Sequence, residues 1–284
     1  MSLPRRIDSH DLFNAIRDGL NRIYCQPDPA VISMIRKLAI REQGHLAKDM
    51  LKAIVENADI AAREGIPCCQ DTGTVVFFIE KGERAILVGG DIEDTINKVL
   101  RLGWYRLSLR RSLVEEPLFE REIIPDTVPP MIHWEVNTGN QINVTMGLKG
   151  GGAENMSRLQ MMSATATVEQ IKKVVVDTVV DAGGKACPPV IVGVGIGGNF
   201  ESCAVMAKRA LFEEMGRAHP DPRYAALEQE ILTEINRWGR GVMGMGEGPS
   251  ALAVHIKTAP CHIASLPLAI NLDCHAHRHT SFTL

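Results

Sequence analysis

Three of the seven cysteines stand where a thiolate could be reached by a metal or a substrate. Cys69 opens the run Cys69-Gln70-Asp71-Thr72-Gly73, Cys187 sits between Lys185-Ala186 and Pro188-Pro189, and Cys274 lies inside Leu272-Asp273-Cys274-His275-Ala276-His277-Arg278-His279. Each is at an expected element end, beside polar or glycine-rich residues. Three separated thiolates can hold an iron–sulfur cubane and leave its fourth iron open, which is what Lewis-acid chemistry requires. Cys25 and Cys261 show this less clearly, and Cys203 falls inside an expected helix and reads as core. Spacing alone does not separate this reading from a set of buried, inert thiols, the ordinary state of free cysteine.

Three further patterns bear on chemistry. Gly193-Val194-Gly195-Ile196-Gly197-Gly198 has the spacing of a dinucleotide fingerprint. The acid expected about 20 residues later should end a second strand, but Glu213 and Glu214 fall in a helical pattern, so close packing is the better reading. Lys149-Gly150-Gly151-Gly152 lacks the following Lys-Ser/Thr of a P-loop. His275, His277 and His279 would share one face of a strand, as in a zinc tail, yet no cysteine pair accompanies them, which favours a solvated or structural tail.

The elements that must position these residues begin with helices. Leu12, Ile16, Leu20 and Ile23 mark one helix face. Asp28-Pro29 opens a second helix to about Ile40, and a third runs from His45 to Arg63, stopped by Gly65-Ile66-Pro67. Thr74 to Ile79 reads as a strand, so the Cys69 run is a helix-to-strand loop. Asp91 to Tyr105 reads as a helix, and the proline-rich stretch Glu115 to Pro130 as a connection between two lobes. Ile132 to Val136 and Gln141 to Leu148 read as strands paired around Asn137-Thr138-Gly139. Helices follow at Thr167 to Ala182, Phe200 to Met215 and Arg223 to Trp238. Strands are expected at Pro189 to Ile196, Ala251 to Lys257 and Ile263 to Ile270. The expectation is an α+β (mixed α/β) protein, with a mainly helical lobe over 1–115 and a mixed strand–helix lobe over 116–284.

Bulk composition narrows the function classes. The chain has 284 residues, 45% hydrophobic and 23% charged, with net charge −3 and interspersed signs, which gives no nucleic-acid surface and no polybasic membrane patch. The most apolar run, Val190 to Ile196, is too short to cross a bilayer. An odd cysteine count, no Cys-x-x-Cys pair and no visible export signal point to a reducing cytoplasm.

Four segments together resemble the alpha subunit, or N-terminal domain, of class I fumarases and tartrate dehydratases: Cys69 to Thr74, Lys149 to Asn155, Ala186-Cys187-Pro188-Pro189, and Pro260-Cys261-His262 through Cys274 to Arg278. The likeness runs from about residue 10 to 280 in one order. It implies a [4Fe-4S] cluster with one open iron on Cys69, Cys187 and Cys274; Cys69 is favoured over Cys68 because the family's cysteine directly precedes Gln-Asp. It implies that Gln70 and Asp71 contact substrate, with Asp71 tied to the catalytic base. It further implies that Arg110 binds a carboxylate, that the loop at Gly151 brings backbone near substrate, and that His262 is a substrate-site histidine with a catalytic part. Arg111 reads as structural or solvated.

The implied reaction is reversible hydration of fumarate to malate, with tartrate dehydration as the alternative substrate reading. Such an elimination removes a weakly acidic proton beside a carboxylate and expels hydroxide, so a two-point arginine fork and a desolvated carboxylate are useful groups. In the family the base hydroxyl comes from the other domain. This chain ends at Leu284, just past the last cluster cysteine, so a separate beta subunit is expected, in an α2β2 assembly. Two departures bear on substrate. The family's Gly-x-Gly-Pro-x-Gly-x-Gly-Gly reads Gly239 to Gly248 with Val242 for the proline and Glu247 for a late glycine, and its Asn-Thr-Gly-Asp-Asn-Thr-Pro reads Ile123 to Pro129. Lys149 and Glu154-Asn155 favour fumarate. The reading of another class is a non-catalytic iron–sulfur sensor.

Overall fold

The computed structural model describes residues 4–125 and 128–284, so Asp126 and Thr127 of the divergent 123–129 stretch lie outside the described residues. The fold is α+β, as expected, with helices packed on mixed sheets. The residues form two compact units, and neither is a continuous stretch of chain. The first comprises the chain up to Asp28, Ala58–Gly150 and Arg278–Leu284; the second comprises Pro29–Asn57 and Gly151–His277. The cut expected near residue 115 falls inside the first unit.

The first unit begins with β1 (Arg5–Asp8) and α1 (Ser9–Ile23). The Asp8 carboxylate accepts from the His10 amide at 2.8 Å and caps α1, and Leu12, Ile16, Leu20 and Ile23 turn inward as their spacing requires. Next come α2 (Pro29–Arg41) and α3 (His45–Glu64), of which α2 and the first part of α3 belong to the second unit. Then follow β2 (Thr74–Gly82), β3 (Ala85–Val88), α4 (Ile92–Arg106), β4 (Met131–Asn137) and β5 (Ile142–Lys149).

The hairpin expected between β4 and β5 does not form. Both pair with β2 instead, β5 antiparallel and β4 parallel, and the sheet order is β10-β5-β2-β4, with β10 spanning His279–Thr283. The cause is burial. Val75 to Ile79 of β2 are all buried and must be covered on both edges, whereas β4 is mostly exposed and suits an edge. A parallel neighbour needs a long crossover, and β3, α4 and the stretch after it supply one.

In the second unit a short α5 (Gly151–Glu154) precedes β6 (Arg158–Met162), α6 (Val168–Ala182), β7 (Val190–Gly197) and α7 (Phe200–Ala210). Then come α8 (Pro222–Trp238), β8 (Ala251–Ala259) and β9 (Leu266–Asp273). The sheet order is β6-β9-β7-β8, with β7 central and buried almost throughout. Two boundaries differ from expectation. Helix α7 ends at Ala210 instead of Met215, tightening into i→i−3 bonds from the Leu211 and Phe212 amides to Lys208 and Arg209. Strand β9 starts at Leu266, and Ile263 stands 92% exposed in a turn closed by the Ser265 amide on the His262 carbonyl at 2.9 Å.

The glycines of the fingerprint-like run are packing residues. Gly193 and Gly195 lie within β7 itself, and a β-carbon on them would stand 2.1 Å from the Ala207 carbonyl oxygen and 2.2 Å from that of Cys203. They let α7 lie against the strand; no phosphate-binding turn is made by them.

Candidate active site and cluster-ligand residues

In the first unit the Cys69 loop joins α3 to β2, as expected. Cys68 is 6% exposed, and burial pushes its thiol up to about 11, against the opposing pull of the Arg278 charge. Cys69 is half-buried, and the Asp71 amide donates to its Sγ at 3.4 Å. Gln70 is exposed, its Oε1 3.5 Å from the Cys69 sulfur. The Asp71 Oδ1 accepts from the Gly73 amide at 2.9 Å, which folds the carboxylate over its own loop.

This loop lies directly on the Lys149-Gly150 segment. Gly73 has φ +77°, and a β-carbon there would stand 2.2 Å from the Lys149 carbonyl oxygen. Only glycine permits both the conformation and the approach. Lys149 is 1% exposed, and its ammonium donates to the Gly150 carbonyl at 3.3 Å. A β-carbon on Gly150 would meet Asp71 Oδ2 at 3.4 Å and Arg278 Nη2 at 3.8 Å. Residues far apart in sequence thus converge around Asp71.

In the second unit Cys187 follows a 3-10 turn, Gly183–Ala186, and takes a left-handed conformation with φ 53°. Its amide donates to the Gly184 carbonyl at 3.1 Å. The glycine-rich stretch closes against this turn: the Met243 amide donates to the Pro188 carbonyl at 2.9 Å, and a β-carbon on Gly184 would stand 2.9 Å from the Met243 oxygen. Glu247 accepts from the Ala47 amide at 3.4 Å near the start of α3.

Cys274 is tied to Cys187 through its neighbour. The His275 ring Nδ1 lies 2.9 Å from the Cys187 carbonyl oxygen, and the His275 amide donates to the same oxygen at 3.4 Å. A carbonyl only accepts, so Nδ1 carries the proton; burial lowers the imidazole's affinity for a second one. The other face of the Cys274 loop is held by Asp273, which accepts from the Cys274 amide at 3.1 Å and from the His277 ring at 2.6 Å. His277 is fully buried and stacks on Phe212 at 6.1 Å. His279 belongs to the first unit, its Nε2 3.7 Å from Asp28. His275 thus serves the backbone, His277 the core, and His279 faces the Asp28 carboxylate. Among the described residues no three Cys, His, Asp or Glu side chains form a single-ion site.

The remaining expected residues lie nearer solvent. Arg110 is exposed after α4, its carbonyl accepting from the Trp104 ring nitrogen at 3.3 Å. His262 is exposed in the β8–β9 turn, and its Nδ1 accepts from the Ala264 amide at 3.1 Å. Gly151 is exposed at the start of α5. Glu154 is tied down: its carboxylate takes Lys208 Nζ at 2.5 Å and Asn271 Nδ2 at 3.0 Å, anchoring α5 to α7 and β9.

A family model described as Fumarate hydratase (Fumerase) matches residues 13–283. The chain belongs to this family. Among curated relatives, it is 36% identical over 243 residues to the protein named "Putative L(+)-tartrate dehydratase subunit alpha" of Methanocaldococcus jannaschii, covering 84% of this chain and 85% of that one. It is 28% identical over 252 residues to the L(+)-tartrate dehydratase subunit alpha of Escherichia coli (strain K12), covering 87% and 82%, and to that of Shigella sonnei to the same extent.

This fumarase and tartrate dehydratase family makes the chain a hydro-lyase subunit of the alpha type. The donor set suits the family's iron–sulfur cluster. All seven cysteines are free, Cys69, Cys187 and Cys274 are each partly accessible at a loop, and an amide already points at the Cys69 sulfur, as thiolate ligands favour. Arg278 and Asp273 were not singled out from the sequence, and His277 was weighed only as part of a zinc tail, though all three sit in the same motif as Cys274. Their signal there was only adjacency; burial and pairing required the fold.

Proposed function

We propose that this chain is the alpha subunit of a two-subunit [4Fe-4S] hydro-lyase acting on a four-carbon dicarboxylate, hydrating fumarate to malate reversibly. Cys69, Cys187 and Cys274 would hold the cluster, and a beta subunit would complete the active site, in an α2β2 assembly. One observation carries the reading. Cys187 and Cys274, far apart in sequence, are brought to one place by His275, whose ring and amide share the Cys187 carbonyl.

When bound, the open iron would supply a Lewis acid for a substrate oxygen. The chain's own residues do the rest. Arg110, exposed, can grip a carboxylate by two points. Asp71 is held as a fixed acceptor by the Gly73 amide and can orient or take up a proton from a hydroxyl base on the partner. Gln70 and His262, both exposed, present donors and acceptors for substrate oxygens, and the Gly151 amide lies at an exposed loop. The 1–115 and 116–284 regions together act as one catalytic alpha-type domain.

Tartrate is the second reading, favoured by the names of the relatives. Of the residues that favoured fumarate, Glu154 is engaged in anchoring α5, so Lys149, buried beside Asp71's loop, and the exposed Asn155 still bear on substrate. The test is anaerobic co-expression with the beta subunit and side-by-side assays with malate, fumarate, tartrate and mesaconate. Malate and fumarate interconversion faster than tartrate dehydration supports the first reading; the reverse order replaces it with the second. Activity of the isolated chain would remove the partner.

A further inference from the structure

Arg278 has no role in the reading above, yet it is 3% exposed and its Nε is buried without a hydrogen-bond partner. A guanidinium is charged at every working pH, and burying one is costly unless an anion faces it. Its backbone is fixed just before β10, where the Arg278 carbonyl accepts from the Leu148 amide at 2.9 Å. Its Nη2 reaches to 3.8 Å from where a β-carbon on Gly150 would stand. Asp71 Oδ2 approaches the same point to 3.4 Å, while Asp71 Oδ1 is already engaged by the Gly73 amide at 2.9 Å. The carboxylate thus has one oxygen pinned by its loop, while its other oxygen and the arginine's Nη2 flank the same point beside Gly150. Arg278 also bears electrostatically on the Cys68 thiol, at the start of this loop.

We propose that Arg278 is a positioning residue for Asp71, its buried guanidinium setting the direction of the carboxylate over Gly150. The inference rests on the proposed hydro-lyase reading for its catalytic consequence, though the placement itself does not. Its test uses the anaerobic complex with the beta subunit, comparing the unsubstituted chain with Arg278→Gln and Arg278→Lys. Misplacing a reacting group by about 1 Å costs about 100-fold in rate. So Arg278→Gln should lower kcat by about that factor with KM changed by less than about 3-fold, and Arg278→Lys, which keeps the charge, should recover part of the loss. Iron content should stay at the unsubstituted level in both. Amide exchange over 69–74 should quicken in Arg278→Gln while β5 and β10 keep their protection.

A rise in KM with kcat retained would make Arg278 a substrate-binding residue and overturn the proposal, as would loss of iron in Arg278→Lys or unchanged exchange over 69–74. If the unsubstituted complex turns over no dicarboxylate, the hydro-lyase reading fails, and the exchange result alone decides the positioning claim. Should Arg278→Gln fail to fold, Arg278→Lys supplies the same readouts.

Discussion

Adjacent cysteines in this chain have different chemistry because they have different solvent. Cys68 is buried, with its thiol pushed up to about 11, whereas Cys69 is partly accessible and receives an amide hydrogen bond. A thiol titrating near 11 is only about one part in a thousand thiolate at pH 8, so it is a poor nucleophile and a poor ligand. In iron-free chain at pH 8, iodoacetamide should therefore modify Cys69 well before Cys68, as read by peptide mapping. Equal labelling would remove the basis for choosing Cys69. For the proposed ligands, Cys69→Ser, Cys187→Ser and Cys274→Ser should each abolish the visible cluster absorbance; a variant with full iron leaves that residue off the ligand set. Arg110→Lys should raise KM several-fold by losing the two-point fork, and unchanged kinetics would show that another arginine grips the carboxylate.

At the scale of elements, the sequence made long periodic pieces legible and short ones not. Helices α2, α3, α4, α6 and α8 lie within one or two residues of where capping residues and apolar spacing put them, and the expected face of α1 is buried, because each has a full face to bury. Strands β1, β3, β6 and β10 went unread; with four or five residues they carry too little alternation to detect. Pairing was illegible for another reason: β4 and β5 are neighbours in sequence, and only the demand of the buried β2 for two partners separates them. The site followed the same rule. The motif residues stood out by type, but the tie between His275 and Cys187, and the burial of Arg278, depend on long-range folding. The close contact of β7 with α7 is a sharp test of the packing role of Gly193. Gly193→Ala puts a methyl 2.1 Å from the Ala207 carbonyl and should destabilise the chain by about 2–4 kcal/mol in denaturant titrations. A change within about 0.5 kcal/mol would instead leave the glycines free for a ligand, and a nicotinamide titration would then be the next step.

For the whole molecule, the interleaving of segments has consequences for how it can be divided. β2 lies between β5 and β4 in one sheet, so a fragment of residues 116–284 would carry β4, β5 and β10 without the strand that joins them. That fragment should be unfolded or aggregated, with near-ultraviolet circular dichroism lost; a folded, monomeric fragment would mean the first unit is not the cooperative body described. No helix among the described residues is long and apolar enough to cross a membrane. On the proposed reading this chain holds a [4Fe-4S] cluster and a beta subunit completes the site, and the cluster's iron and sulfide can be counted directly. The most direct measurement is therefore iron and acid-labile sulfide in the chain purified without air together with its beta subunit. The account predicts about four of each per alpha chain, with turnover lost on exposure to air and regained with ferrous iron and thiol. Material that holds neither iron nor sulfide, yet hydrates a dicarboxylate at full rate in air, would contradict it.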